Sequence, residues 1–435
     1  MSKPEIRFGT DGWRAIMCEA FTAENVRRVV WAIARHLEAS GLSGKPVVIG
    51  YDGRFFGDGF ARHAASVLAA AGIRVLMPER DLPTPVIAFA VVHSGAAGAL
   101  MFTASHNPPE YNGVKFIPSF GGPAPAEVTA AIERALAEQG DREPPALGFA
   151  AARTGGFVEP IDPAPAYVEH LRTLINFDAI RRARLRVVYD AMHGAARGLM
   201  AAILREAGVE VIALRQTRDA LFGGHPPEPL PAHLVELQRA MAERGAHLGL
   251  ATDGDADRFG VVDEGGRFIT PNELIALLAE HLSRRGGTGA LVRTVATTHM
   301  LDRIAAAHGA KAYETPVGFK HICAIMRREP VLIGGEESGG LSIGGHIPEK
   351  DGLLADLLAV EARAVRGESL GRQLAELARK VGPSVSRRID LDVSEEQKRA
   401  LMARLESAPP ERLGGLEVTG IERKDGVKLL LAGDA

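Results

Sequence analysis

One arrangement recurs three times along this chain, and it restricts the possible folds more than any bulk property. A β-branched run at Pro46–Asp52 is followed by a helix-like stretch at Phe60–Ala71, an apolar run at Ile73–Leu76, a Pro-rich loop, a short helix and the apolar run Ala99–Phe102. The second copy opens with Leu185–Asp190. It continues through helical stretches near Leu199–Glu206 and Ala232–Arg244 and an intervening strand at Val209–Ile212, and ends at His247–Leu250. The third runs from Ala290–Val292 through Ala310–Tyr313 to Pro330–Ile333. Strands alternating with helices of about 10–15 residues indicate βαβ units. A chain of 435 residues is too long for one core of ordinary size.

Three copies predict three similar mixed-sheet α/β domains, each with its own core, arranged around a central cleft. The expected limits are 1–155, 156–262 and 263–382, with a smaller, incomplete α+β unit at 383–435. That last unit reads as a strand at Arg388–Val393, a helix near Glu395–Glu406 and meander strands at Glu417–Val418, Ile421–Glu422 and Val427–Leu431. Each copy ends in a loop after its last strand: Thr103–Asn107, Thr252–Arg258 and Gly334–Gly340. Ligands of open α/β sheets gather at the carboxyl ends of strands. The three loops are therefore expected to face one another.

The first loop reads Thr103-Ala104-Ser105-His106-Asn107-Pro108-Pro109. Its prolines stiffen the turn, and Ser105 is expected to be exposed at the strand end. A hydroxyl there can act as a nucleophile or carry a phosphoryl group.

The second loop, Thr252-Asp253-Gly254-Asp255-Ala256-Asp257-Arg258, sets three carboxylates at alternate positions with small residues between them. Their oxygens can converge on one hard cation, Mg²⁺ or Ca²⁺. Without a cation they would repel one another. An EF-hand reading places Glu264 at the twelfth position, but Arg258 stands where that loop needs glycine, and the flanks read as strands.

Acidic and basic residues nearly balance, 54 against 51, and no Lys/Arg run with interleaved aromatics occurs. This argues against a nucleic-acid partner. No apolar run approaches a membrane span, and the N-terminus lacks the apolar core of a secretory signal. Cys18 and Cys323, the two cysteines, fit a reducing compartment and exclude a thiolate zinc cluster built from this chain. A cytoplasmic protein is expected.

Taken together, the loops resemble those of the α-D-phosphohexomutases, the phosphoglucomutase and phosphomannomutase family. Phe8-Gly9-Thr10-Asp11-Gly12-Trp13-Arg14 is similar to its N-terminal signature. Thr103–Pro108 followed by Tyr111-Asn112-Gly113-Val114-Lys115 resembles its phosphoserine loop, and Asp253–Arg258 its metal loop. Gly335-Glu336-Glu337-Ser338-Gly339-Gly340 resembles its sugar-recognition loop.

The resemblance implies that Ser105 carries phosphate. Asp253, Asp255 and Asp257 would then hold Mg²⁺, with Ser105 as a further ligand. Arg14, Lys115 and Arg258 would neutralise charge, and Lys115 or His106 would serve as general acid/base. Glu336 and Ser338 would bind sugar hydroxyls. Lys320, His346 and Lys350 are further substrate candidates, the last two within a Gly345–Gly352 run like that of the glucose-specific branch. The implied activity interconverts hexose 1-phosphate and hexose 6-phosphate, glucose before mannose, with hexose 1,6-bisphosphate as intermediate and activator. A monomer or dimer is expected.

Two features depart from the family pattern. Gly340 stands where some members place a histidine. The family's C-terminal Arg-x-Ser-Gly-Thr-Glu-Pro phosphate loop does not occur, and a truncated sequence with a slow, weakly binding site is the expectation. Two rivals to a mutase are a Mg²⁺-dependent sugar-phosphate phosphatase and a non-catalytic sugar-phosphate-binding protein.

Overall fold

The computed structural model describes residues 6–9, 12–140, 142–387, 389 and 392–433. Thr10 and Asp11 of the N-terminal signature lie outside the described residues, as do Arg388, Asp390 and Leu391 of the expected 388–393 strand. Ile389, Asp392 and Val393 are in no strand.

Three mixed sheets carry the repeats. The first has six strands in the order Trp13–Ile16, Tyr111–Pro118, Gly98–Phe102, Val47–Tyr51, Val75–Pro78, Val158–Ile161. The second orders Phe268–Ile269, Phe259–Asp263, Leu248–Thr252, Arg186–Asp190, Glu210–Leu214. The third orders Ala312–Thr315, Ala290–Thr294, Val331–Glu336, Gly340–Ile343.

In every sheet a parallel strand turns back into an antiparallel neighbour: Gly98–Phe102 into Tyr111–Pro118, Leu248–Thr252 into Phe259–Asp263, and Val331–Glu336 into Gly340–Ile343. The three candidate loops are these three turns, so the repeat places them at equivalent corners.

The sheets run past the expected limits at 155 and 262. Val158–Ile161 joins the first sheet parallel to Val75–Pro78, and Phe268–Ile269 joins the second. Both are edge strands. The first contains Pro160, which an edge tolerates and which hides the strand from pattern reading.

Each repeat has an apolar cluster of its own, and beside these the repeats share a further one. One apolar cluster runs from Val48 and Leu82 in the first repeat through Tyr189 and Leu250 in the second to Leu341 and Leu358 in the third. Helices Thr84–Ser94 and Ala164–Leu174 join the first repeat to it, and helix Gly352–Arg366 joins the second and third. Asp351 caps its N-terminus by accepting the Leu354 N–H, and nearly the whole helix is buried. It follows the third sheet in sequence, yet it packs on helix Phe177–Ala183 and on the strands flanking the 253–258 loop. The first sheet keeps a second cluster on its other face. Val47, Ile49 and Leu100 point into it, whereas Val48, Ala99 and Met101 point into the shared core, as strand alternation requires.

The C-terminal unit is smaller. It has the antiparallel strands Arg412–Leu413, Leu416–Glu422 and Lys428–Leu431 and a helix, Glu395–Ser407, that buries none of its residues. Its hairpin docks on the third repeat through charge. Lys424 and Lys428 place their ammonium groups 3.1 and 2.6 Å from the Glu314 carboxylate, and Asp425 accepts the Val317 N–H at 2.8 Å.

Candidate active site

Ser105 sits in the turn after Gly98–Phe102 with a left-handed backbone, φ +51°. It is 1% exposed and not open to solvent as expected. Its Oγ donates to Asp253 Oδ2 at 2.6 Å and lies 3.3 Å from His106 Nδ1. The loop of the second repeat therefore closes over the serine of the first.

Asp253, Asp255 and Asp257 are fully buried, and one oxygen from each can be chosen so that all three lie within 4.8 Å of one another. Ala256 turns the loop through a left-handed φ of +60°. The Arg258 N–H donates to Asp253 Oδ1, 3.0 Å, and the Thr84 hydroxyl to Asp255 Oδ2, 2.6 Å.

Lys115, on the strand paired to Gly98–Phe102, donates to Asp255 Oδ2 and Asp257 Oδ2 at 3.0 and 2.8 Å. Lys350 Nζ lies 3.2 Å from the same Asp257 oxygen. Asp255 Oδ1 and Asp257 Oδ1 remain buried with no hydrogen-bond partner among the described residues. Buried orphan carboxylate oxygens are costly, and a divalent cation would satisfy both. The donor set, all hard oxygens, suits Mg²⁺ or Ca²⁺.

The flanks are strands, and Glu264 pairs with Arg363 at 3.1 Å, so the EF-hand reading fails.

Electrostatics divide the three carboxyls. Burial, then the charges of Asp255 and Asp257, push Asp253 well above the usual carboxylate range. Burial also opposes ionisation of Asp255, but Lys115 and the Thr84 hydroxyl outweigh it and hold the group low. Asp257 is held low by Lys115, Lys350 and Arg258 against burial and Asp255. Burial, then Arg258 and Arg14, pull the His106 ring down to about 3. A lowered pKa favours the uncharged ring and makes it a weak base.

A cleft of about 660 Å³ adjoins this centre, lined by Arg14, Asn107, Arg258, Lys320, Glu336, Glu337, Ser338 and Lys350. Arg14 donates to Asn107 Oδ1 at 2.8 Å, and Arg258 to Glu228 Oε1 at 3.1 Å. Glu336 is 5% exposed, accepts the Gly318 N–H at 2.9 Å and is pushed up by burial. The Phe259 N–H donates to the Gly339 carbonyl, 3.1 Å, tying the second candidate loop to the third.

His346 is placed elsewhere. Its side chain is fully buried, bonded to Asp351 Oδ2 at 2.9 Å and to His170 Nε2 at 3.0 Å, and stacked on His170. Tyr167 donates to the same Asp351 oxygen at 2.7 Å. His346 thus braces the junction of the second and third repeats.

Sequence reasoning missed Asp52, Arg54 and Thr84. The first two follow Val47–Tyr51 at the same sheet edge as Ser105, and that position was the available signal. Thr84 opens helix Thr84–Ser94, and its N–H also donates to the Asp255 carbonyl, 2.9 Å.

Three domain families match the chain: phosphoglucomutase/phosphomannomutase alpha/beta/alpha domain I over 5–143, domain II over 165–266 and domain III over 270–381. A phosphoglucomutase/phosphomannomutase of Thermococcus kodakarensis is 30% identical over 423 residues, 97% of this chain and 89% of that protein. A phosphoglucosamine mutase of Anaeromyxobacter dehalogenans is 34% identical over 407 residues, covering 90% and 85%. The crystal structure of a Thermus thermophilus protein, described as a candidate phosphomannomutase, superposes with a TM-score of 0.87 at 36% identity, covering 99% of this chain and 92% of that one.

Proposed function

Because this chain belongs to the phosphoglucomutase/phosphomannomutase family of α-D-phosphohexomutases, we propose that it interconverts glucose 1-phosphate and glucose 6-phosphate through a phosphoserine at Ser105, with mannose phosphates as slower substrates. The observation that carries the reading is the 2.6 Å contact of Ser105 Oγ with the Asp253–Asp257 carboxylate cluster, beside a cationic cleft of sugar-phosphate size.

In the forward half-reaction the Ser105 O–P bond breaks and a new O–P bond forms to a substrate hydroxyl, whose proton leaves to a side chain. The hexose 1,6-bisphosphate then turns over in the cleft. Its other phosphoryl group returns to Ser105, and the proton returns to the freed sugar oxygen. Asp253, Asp255 and Asp257 would hold Mg²⁺, which supplies positive charge to phosphoryl oxygens when bound.

In this reading Lys115, as the neutral amine, accepts the hydroxyl proton and, as the ammonium that donates to Asp255 and Asp257, returns it, while burial leaves the His106 ring a weak base. Arg14, Arg258, Lys320 and Lys350 line the cleft where the second phosphate would lie. Glu336 and Ser338 would take the sugar hydroxyls.

A second reading, glucosamine phosphate as substrate, is favoured by the phosphoglucosamine mutases among the relatives. A coupled assay with glucose, mannose and glucosamine 1-phosphates, primed by hexose 1,6-bisphosphate, tests both. Isomerisation of glucose 1-phosphate fastest is the expected result. Release of free phosphate without isomerisation would point to a phosphatase. Absence of both turnover and serine phosphate would point to a binding protein.

A further inference from the structure

Arg54 is fully buried, and its guanidinium is spent on one stretch of backbone. Nη2 donates to the carbonyls of Ser105 and Asn107 at 2.6 and 2.7 Å, and Nη1 to those of Pro108 and Tyr111 at 2.8 and 3.0 Å. The loop cannot supply many such donors itself, because Pro108 and Pro109 have no N–H. Asp52, the counter-charge of Arg54 at 3.3 Å, completes the frame. It accepts the Thr103 hydroxyl at 2.6 Å, and Thr103 Oγ1 accepts the Ser105 N–H at 2.8 Å. The Arg54–Asp52 pair therefore anchors both backbone groups of Ser105, the carbonyl directly and the N–H through Thr103.

This frame answers a conformational problem. A left-handed non-glycine residue such as Ser105, φ +51°, persists where its surroundings over-determine it. We propose that Arg54 is a positioning residue for phosphoryl transfer. It holds Ser105 in the left-handed conformation that keeps Oγ on Asp253, and so governs the rate of serine phosphorylation and not the affinity for sugar phosphate. The inference rests on Ser105 being the phosphoryl carrier. The second repeat supports the frame from outside: Arg218 donates to the Gly53 and Arg54 carbonyls, and the Phe222 ring lies 5.1 Å from the guanidinium carbon.

The test compares wild type with Arg54→Lys, which keeps the charge and the aliphatic stem but cannot span four carbonyls. Serine phosphorylation from glucose 1,6-bisphosphate is followed by intact mass, and turnover by coupled assay. Misplacing a reacting atom by about 1 Å can cost about 100-fold. The expected result is a kcat and a phosphorylation rate both lower by roughly that factor, with KM for hexose phosphate and Mg²⁺-dependent melting little changed.

Guanidinium added to Arg54→Gly should recover part of both rates. An Arg54→Lys protein with wild-type phosphorylation, or with its loss confined to KM, overturns the proposal. Failure of both variants to fold overturns it too, because Arg54 would then be a core residue. A wild type that never takes phosphate refutes the serine assignment itself. A phosphorylated wild type beside an unimpaired Arg54→Lys refutes the role of Arg54 alone.

Discussion

The Ser105 hydroxyl donates to Asp253 Oδ2 at 2.6 Å across 148 residues of sequence, so the proposed phosphoryl carrier of one repeat is seated on the carboxylates of the next. Removing the oxygen removes the chemistry but little packing. Ser105→Ala is expected to lower kcat by about three orders of magnitude or more, with melting close to wild type. Near-normal mutase turnover in this variant would exclude Ser105 as the carrier.

Two oxygens, Asp255 Oδ1 and Asp257 Oδ1, are buried without partners among the described residues. Mg²⁺ should therefore stabilise the fold, by about 2.7 kcal/mol at one hundred times its dissociation constant. Asp255→Asn and Asp257→Asn should lose most of that increment and most activity. Calorimetric melts with EDTA and with Mg²⁺ decide the matter, and identical wild-type melts would refute a cation site.

Glu336 faces the cleft with one oxygen already on the Gly318 N–H. Losing a charged hydrogen bond to a sugar hydroxyl costs about 1.5–3 kcal/mol, roughly 10- to 100-fold in kcat/KM. Glu336→Gln should show that loss while Ser105 still takes phosphate from glucose 1,6-bisphosphate. An unchanged kcat/KM for both glucose and mannose 1-phosphates would remove Glu336 from substrate selection.

Gly340 makes room for Lys350. A Cβ built at 340 would lie 2.4 Å from Lys350 Cδ, and the ammonium beyond it reaches Asp257. Gly340→Ala should push the lysine aside and mimic Lys350→Ala, each losing roughly 10-fold in kcat/KM. The double variant should be no worse than either single one, which a double-mutant cycle measures. Additive losses would show that the two act independently.

His346 is a brace between repeats. His346→Ala breaks its bonds to Asp351 and His170 and should cost about 1–3 kcal/mol in urea unfolding, with kcat/KM within about threefold of wild type. A large kinetic loss at unchanged stability would return His346 to the substrate site.

Much of the site was legible beforehand for a local reason. Alternating apolar runs mark strands, and short polar turns after them mark strand ends, so Thr103–Asn107, Thr252–Arg258 and Gly334–Gly340 could be located, although Gly334–Glu336 and Gly340 prove to be strand residues flanking the turn. The spacing of Asp253, Asp255 and Asp257 also signals convergence, because small residues between carboxylates let a turn curl. The strand at Val158–Ile161 escaped notice because Pro160 and an exposed edge erase the pattern that reveals a strand.

What the sequence by itself determined was the inventory: three βαβ repeats, a candidate functional turn at the same corner of each, and the residue types those turns carry. The tertiary structure decided their relations. It buried Ser105 beneath the 253–258 loop, sent His346 to Asp351 and His170, set a shared core beside the cluster each repeat keeps, and aimed Arg54 at four carbonyls. The physical reason is range. Periodicity and turn chemistry act over a few residues, whereas burial and charge pairing depend on which repeat packs against which.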